Sequence, residues 1–147
     1  MAPRIFKREK GFKPKDLIQS GLDHIYAAEQ LFEASPSFFD SAGYLVHMGF
    51  ELLLKAWHLE AFVEFSGIHS LKELVEQLRA KGQQLNLTEE ENDVLKIADS
   101  FGELRYPAPN HGTEVGSDDW EGIHSLLNKI WEQTPETFYD YYEAISH

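Results

Sequence analysis

One stretch of the chain constrains the fold more than any other: residues 42–65, AGYLVHMGFELLLKAWHLEAFVEF, which are mostly apolar. Within it the polar residues His47, Glu51, Lys55 and His58 recur at spacings of four, four and three. On an α-helix this spacing produces one narrow polar row along a cylinder that is otherwise apolar. Such a helix must be surrounded by protein on most sides, so the row marks where a helical bundle contacts something polar.

The same stretch is long enough to span a membrane, but its ionisable groups argue against a span. Each charge near the middle of a bilayer costs free energy, and no signal-peptide pattern precedes the stretch. A chain of 147 residues with 42% apolar and 13% aromatic residues is typical of one folded domain. The absence of cysteine excludes a thiolate zinc site and a cysteine nucleophile, and it fits a cytoplasmic protein.

Charge is distributed unevenly along the sequence. The net charge is −12, yet residues 1–15 contain six of the thirteen basic residues and only one acid, so the remainder is strongly acidic. An acidic body repels phosphate backbones, which excludes broad electrostatic capture of nucleic acid unless the basic arm or a local pocket supplies it. We expect a basic N-terminal arm over residues 1–13, solvated and frayed, followed by one helical domain over residues 14–147.

Every long segment has helical rather than alternating periodicity, which predicts an all-α fold. A first helix begins near Pro14, a favourable residue for a first turn. Its buried side consists of Leu17, Leu22, Ile25, Ala28 and Phe32. The central helix is expected from about Phe38 to Phe65, ending at Ser66-Gly67.

Two capping boxes predict the third and fourth helices. The spacing of a capping box occurs twice, in Ser70 with Glu73 and in Thr88 with Glu91. In such a box the side chain of each residue accepts a hydrogen bond from the backbone N–H of the other. The fourth helix is expected to continue until Pro107, the first residue of a loop with two prolines and two glycines.

The end of the chain predicts a fifth helix and a short aromatic segment. Ser117 is expected to cap a helix that runs from Trp120 to about Gln133. Thr134-Pro135 then opens a segment that either continues this helix past a kink or forms a separate helix. Four crowded aromatics in the segment predict packing or a dimer contact: Phe138, Tyr139, Tyr141 and Tyr142.

Three segments together resemble the HEPN family, named for its occurrence in higher eukaryotes and prokaryotes. AGYLVHMGFELLLKAWHL is similar to the second helix of the family, HSLKELVEQL to the start of the next helix, and LRYP follows at residues 104–107. Their order and spacing extend the resemblance over roughly residues 14–145. It implies a four- or five-helix up-and-down bundle, often a homodimer, that serves either as a ribonuclease or as the partner of a small nucleotidyltransferase.

The resemblance also implies candidate catalytic residues. Catalytic members carry an arginine and a histidine with four to six residues between them, usually with a small polar residue after the arginine. This chain has Arg105 and His111 with five residues between them, but Tyr106 stands where the polar residue is expected, which weighs against nuclease activity.

Chemically, histidine and arginine suit a metal-free ribonuclease. Histidine can move the proton of a 2′-hydroxyl and arginine can stabilise the charge that develops on phosphorus. Asn110 lies next to His111 and joins the candidate set. A symmetric dimer would supply two copies of each group. In the alternative, structural interpretation, Arg105 pairs with a carboxylate and His111 is exposed.

The polar row allows two interpretations. Carboxylate and imidazole on one helical face can ligate a metal, but the ammonium of Lys55 between Glu51 and His58 opposes a divalent cation. Glu51 and Lys55 instead have the favourable order for an i,i+4 ion pair, which can hold neighbours such as His69 or Arg105. We therefore expect no metal, and no motif implies a cofactor. The predicted binding or structural network consists of His47, Glu51, Lys55, His58, His69 and Tyr106.

Two functions remain open. The favoured one is a non-catalytic RNA- or nucleotide-associated interaction domain with a nucleotidyltransferase-type partner, which the acidic surface and Tyr106 support. The alternative is a toxin-like, metal-independent endoribonuclease that uses Arg105 and His111 at a dimer cleft.

Overall fold

The computed structural model describes residues 3–105 and 114–145. Six α-helices lie in these ranges: α1 (Pro14–Ala34), α2 (Phe39–Phe62), α3 (Leu71–Ala80), α4 (Glu89–Ser100), α5 (Asp119–Gln133) and α6 (Thr137–Ala144). Two three-residue strands, β1 (Ile5–Lys7) and β2 (Glu64–Ser66), pair antiparallel. The predicted all-α fold is confirmed, since the helices form the bundle and the small sheet lies outside it.

α2 is the central helix, and α1 makes the most extensive contact with it. Fourteen of the 24 residues of α2 are buried. Glycines allow the two helices to approach closely, because a Cβ added at Gly49 would lie 2.9 Å from the Gly21 carbonyl oxygen. The polar row of α2 therefore lies inside the bundle, as its spacing predicts.

α2 ends three residues earlier than predicted. Val63 has a φ of 57°, in the left-handed region, and residues 64–66 leave the helix to form β2. β2 pairs with β1 so that Phe6 lies opposite Phe65, and their rings stack with centroids 5.0 Å apart. The expected frayed N-terminal arm is wrong for these residues, because aromatic packing docks the arm on the end of α2.

The start of α3 and α4 follows the sequence signals. The Ser70 hydroxyl accepts the N–H of Glu73 at 3.2 Å. At Thr88 the capping box is complete, since the hydroxyl accepts from the N–H of Glu91 and the Glu91 carboxylate accepts from the N–H of Thr88. The predicted length of the fourth helix is wrong, because α4 gives way at its C-terminal end to a 3₁₀ helix, Phe101–Arg105.

The C-terminal helices differ in detail from expectation. The N-cap of α5 is Asp118, one residue after the predicted cap at Ser117, and the helix begins at Asp119, one residue before the predicted start at Trp120. The final segment forms a separate helix, α6, in which Phe138 is buried and Tyr139 is 64% exposed. Within the described ranges no helix has both the length and the apolar composition to cross a membrane.

Candidate functional site

The polar row of α2 is fully enclosed. His47, Glu51, Lys55 and His58 are each at most 5% exposed. Burying charged groups is costly unless each finds a partner of opposite charge or a hydrogen bond. The partners of these four side chains therefore determine what the row does.

Glu51 is the centre of the network. Its Oε2 accepts a hydrogen bond from Lys55 Nζ at 2.8 Å, the i,i+4 ion pair expected from the sequence. His69 Nδ1 lies 3.1 Å from the same oxygen, and His47 Nδ1 lies 3.8 Å from Oε1. One carboxylate thus contacts the side chains of Lys55, His69 and His47. The side chain of His69 is 68% exposed, so this network reaches the protein surface.

Asp99 of α4 is a second carboxylate at the site, and the sequence did not reveal it. Its oxygens accept the backbone N–H groups of Leu71 and Lys72 at 2.8 and 3.3 Å and the Ser70 hydroxyl at 3.3 Å. Burial by itself would raise the pKa of Asp99, but its interaction with His47 and its hydrogen bonds with the two backbone N–H groups outweigh burial and hold the pKa below its ordinary value. Asp99 is therefore an anion that caps α3.

His47 lies between the two carboxylates. Its Nε2 is 3.6 Å from Asp99 Oδ1, while its buried Nδ1 has no hydrogen-bond partner among the described residues. The 3₁₀ helix packs directly on the ring, since a Cβ added at Gly102 would lie 3.0 Å from Nε2. Gly102 is thus required for this close approach, and it brings the end of the 3₁₀ helix to the site.

These elements enclose a cavity of about 510 Å³, which we call the α2 cavity. Its ionisable lining residues are His47, Glu51, His69, Asp99, Glu103 and Arg105. Lys55 compensates the charge of Glu51 from outside the lining, and the carboxylates of Asp99 and Glu103 outnumber the guanidinium of Arg105, so the cavity is anionic. The structure thus brings Arg105 to the same cavity as the polar row.

Lys55 and His58 lie outside that lining. The ammonium of Lys55 is 5.8 Å from the centroid of Phe65, so β2 lies beside the ion pair. His58 Nε2 donates to the Leu74 carbonyl at 2.9 Å, and burial lowers the pKa of His58 below its ordinary value. His58 is consequently a neutral core residue that joins α2 to α3, separate from the Glu51 network.

Three predicted site residues, Tyr106, Asn110 and His111, lie outside the described residues. Over 3–105 and 114–145, no group of three or more histidine, aspartate or glutamate side chains has an arrangement that could hold a metal ion. The arrangement that the structure does describe is a set of paired charges around one anionic cavity.

Comparisons with known proteins agree with this architecture. The HEPN domain model matches residues 14–136. A solved structure, the crystal structure of TT1696 from Thermus thermophilus, is similar with a TM-score of 0.63 and 16% identity, over 82% of this chain and 97% of that one. At that identity the similarity shows the fold alone. No curated protein matches the chain. The family match covers most of the sequence, and the chain belongs to the HEPN domain family.

Proposed function

We propose that this chain is a non-catalytic, RNA- or nucleotide-associated interaction domain that works in the cytoplasm with a nucleotidyltransferase-type protein partner. The observation that carries the proposal is the charge of the α2 cavity, where Asp99 and Glu103 outnumber Arg105 while Lys55 compensates Glu51. An anionic lining repels the phosphate of an RNA substrate and attracts a cationic side chain of another protein.

The carboxylates of the α2 cavity already have partners within the protein, which supports a binding role over a catalytic one. Glu51 is held by Lys55, and Asp99 is held by the backbone at the start of α3. His47 is 4% exposed, which is a poor setting for a group that must exchange protons with a substrate. These side chains shape a rigid anionic surface, with the exposed His69 and Glu103 at its rim.

A homodimer is part of the proposal. Tyr26 of α1 is 65% exposed and Tyr139 of α6 is 64% exposed, and these two helices pack against each other. Exposed tyrosines are favoured at protein interfaces, where the ring is buried and the hydroxyl stays hydrated. Sedimentation at micromolar concentration should give twice the mass of one chain, and the mass of a single chain would contradict the dimer.

The partner proposal is tested by expression with the product of the adjacent gene. We expect a stable complex in gel filtration, weakened about tenfold by Glu103→Lys, because the reversed charge meets a cationic partner group at the cavity rim. Glu121→Lys, on the exposed face of α5, is the matched control. Separate elution of the two wild-type proteins, or equal affinities of both variants, would count against the proposal.

The second candidate function is a metal-independent endoribonuclease. The presence of Arg105 in the same cavity as His47 and His69 favours it, since a guanidinium and imidazoles together can stabilise a phosphorane and move protons. In this candidate His111 would move the proton, Asn110 would orient the substrate, and a second copy of the chain would complete the cleft.

RNA cleavage in the presence of a chelator distinguishes the two candidates. For the interaction domain we expect no cleavage by the wild type. A ribonuclease would cleave, would lose activity in Arg105→Ala and in His111→Ala, and would keep it in His124→Ala, which changes an exposed histidine on α5. Cleavage with that pattern would replace the first proposal with the second.

A further inference from the structure

A second pocket, which we call the α3–α4 groove, lies between α3 and α4 and has a volume of about 330 Å³. Its ionisable lining residues are Lys72, Glu76, Arg79 and Lys96. Three basic side chains against one carboxylate give a local positive excess on a chain whose net charge is −12. The groove is therefore a place where this acidic protein attracts an anion.

The cations of the groove are available to a ligand. Lys96 is exposed, and its side chain makes no hydrogen bond or ion pair with any described residue. Lys72 pairs with Glu76 only at 4.0 Å, a distance typical of a weak, solvent-screened pair. Arg79 donates from Nε to the Leu85 carbonyl at 2.8 Å, which fixes the guanidinium and leaves its terminal N–H groups without a partner among the described residues. The arginine is thus positioned in advance of binding.

The remaining lining of the groove suits the organic part of a small molecule. Val75 and Leu95 line the pocket but are at most 4% exposed, so they offer only a small apolar surface to a ligand. Asn92 donates from Nδ2 to the Leu87 carbonyl at 3.4 Å and keeps a side-chain oxygen as an acceptor. The volume is at the lower end of the roughly 300–1,000 Å³ of small-molecule sites. The groove is too small for a folded partner.

We propose that the α3–α4 groove binds a small phosphomonoester, with the phosphate held by Lys72, Arg79 and Lys96 and the organic group against Val75 and Leu95. A phosphomonoester carries a charge of about −1.5 to −2 near neutral pH, which balances the excess of positive charge in the groove. A fixed guanidinium can bond two phosphate oxygens at once. An RNA strand would instead extend beyond the groove over acidic surface.

The groove proposal rests on the nucleotide-associated part of the proposed function, but it is independent of the protein-partner site, because the groove and the α2 cavity share no lining residue. Complex formation with the protein partner is expected to survive a charge reversal in the groove. Failure of the groove proposal therefore leaves the partner proposal intact, and the reverse is also true.

The test uses adenosine monophosphate and inorganic phosphate as probes, with binding followed through the backbone amide resonances of the whole chain. We expect adenosine monophosphate to shift resonances of α3 and α4 and to bind more tightly than phosphate. Lys96→Glu should weaken its binding about tenfold, since a favourable charge contact becomes repulsive. Lys10→Glu makes the same charge change at an exposed position near the N-terminus and should bind as the wild type does.

Several outcomes would overturn the proposal. No shift in α3 or α4 would show that the groove takes no phosphomonoester, and equal weakening by both lysine variants would show a long-range charge effect only. Phosphate binding as tight as that of the nucleotide would exclude a role for the apolar surface. Tighter binding of a short single-stranded RNA, with shifts that continue beyond the groove, would assign the groove to nucleic acid.

Discussion

The α2 cavity and the α3–α4 groove both border α3 and α4, but they use charge in opposite ways. Each has a glutamate–lysine pair at an i,i+4 spacing, although at the cavity only Glu51 belongs to the lining and Lys55 lies outside it. In the cavity Glu51 and Lys55 are 2.8 Å apart and almost fully buried, whereas in the groove Lys72 and Glu76 are 4.0 Å apart with side chains 64% and 58% exposed. The same spacing, with glutamate and lysine in opposite order, therefore accompanies a buried network in one place and exposed, accessible charges in the other.

The difference has an energetic reason. Removing one partner of a buried ion pair leaves an uncompensated charge in a medium of low dielectric constant, whereas water solvates a charge left alone at the surface. The buried pair consequently specifies the geometry of the cavity, and the exposed pair remains free to exchange its internal contact for a ligand.

The largest effect is expected when the buried pair is broken. Lys55→Met leaves the Glu51 carboxylate buried without its ammonium, and we expect a loss of about 3–5 kcal/mol in the free energy of unfolding. Urea denaturation measures it. The double variant with Glu51→Leu should recover most of this loss, because the uncompensated charge is gone. A loss in the free energy of unfolding no larger than that of an ordinary surface substitution would show that water solvates the Glu51 carboxylate.

A smaller effect is expected at Asp99, which caps α3. Asp99→Asn removes the charge that two backbone N–H groups and His47 stabilise, and we expect a loss of about 1.5–3 kcal/mol near neutral pH. Because the pKa of Asp99 is lowered in the folded state, this stabilisation is complete above the ordinary value of 3.8 and is lost as the pH falls through the folded-state value.

Asp93→Asn, on the exposed face of α4, is the matched control and should change stability little. Denaturation curves for the wild type and both variants, from neutral pH into the acid range, give the comparison. Equal stability of the two variants at neutral pH would contradict the assignment of Asp99 as a cap.

His58 should produce a pH dependence between about pH 7 and pH 5, above the acid range in which Asp99 titrates. Burial lowers its pKa in the folded state, so the unfolded chain binds a proton first and stability falls as the pH drops below the ordinary value of 6.5. His58→Gln keeps a donor for the Leu74 carbonyl without titrating. We expect the wild type to lose more stability than this variant between about pH 7 and pH 5, by roughly 1 kcal/mol. Parallel pH profiles would show that His58 is not held neutral.

The smallest effect is expected in the groove. Lys72→Ala removes one partner of the exposed pair, and we expect the free energy of unfolding to change by about 0.5 kcal/mol or less. The same variant should weaken binding of a phosphomonoester. A stability loss that approaches the loss for Lys55→Met would remove the distinction between the two pairs.

Local signals in the sequence predicted most of the helical architecture. Pro14 marks the start of α1, Ser70 and Thr88 cap their helices, and the spacing of Glu51 and Lys55 predicts their ion pair. Each of these features depends on residues within one turn of a helix, where spacing along the chain determines spacing in space.

Features that depend on distant residues could not be predicted in this way. Asp99 accepts a hydrogen bond from Leu71 at the start of α3. The two residues are 28 positions apart in the sequence, so no helical periodicity links them. β1 has only three residues and pairs with β2 across almost sixty positions, so alternation could not reveal it. The groove likewise exists only because α3 and α4 pack side by side. The roles of Arg105, Asn110 and His111 remain predictions.

The most direct test of the account is a titration of the isotopically labelled chain with the product of the adjacent gene, followed through backbone amide resonances. We expect resonances at the rim of the α2 cavity, including those of His69, Gly102 and Glu103, to shift on binding. Those of Asn92 and Lys96 in the groove should stay in place. Shifts confined to the groove, or no shift at the cavity rim, would contradict the claim that the anionic cavity is the partner-binding site.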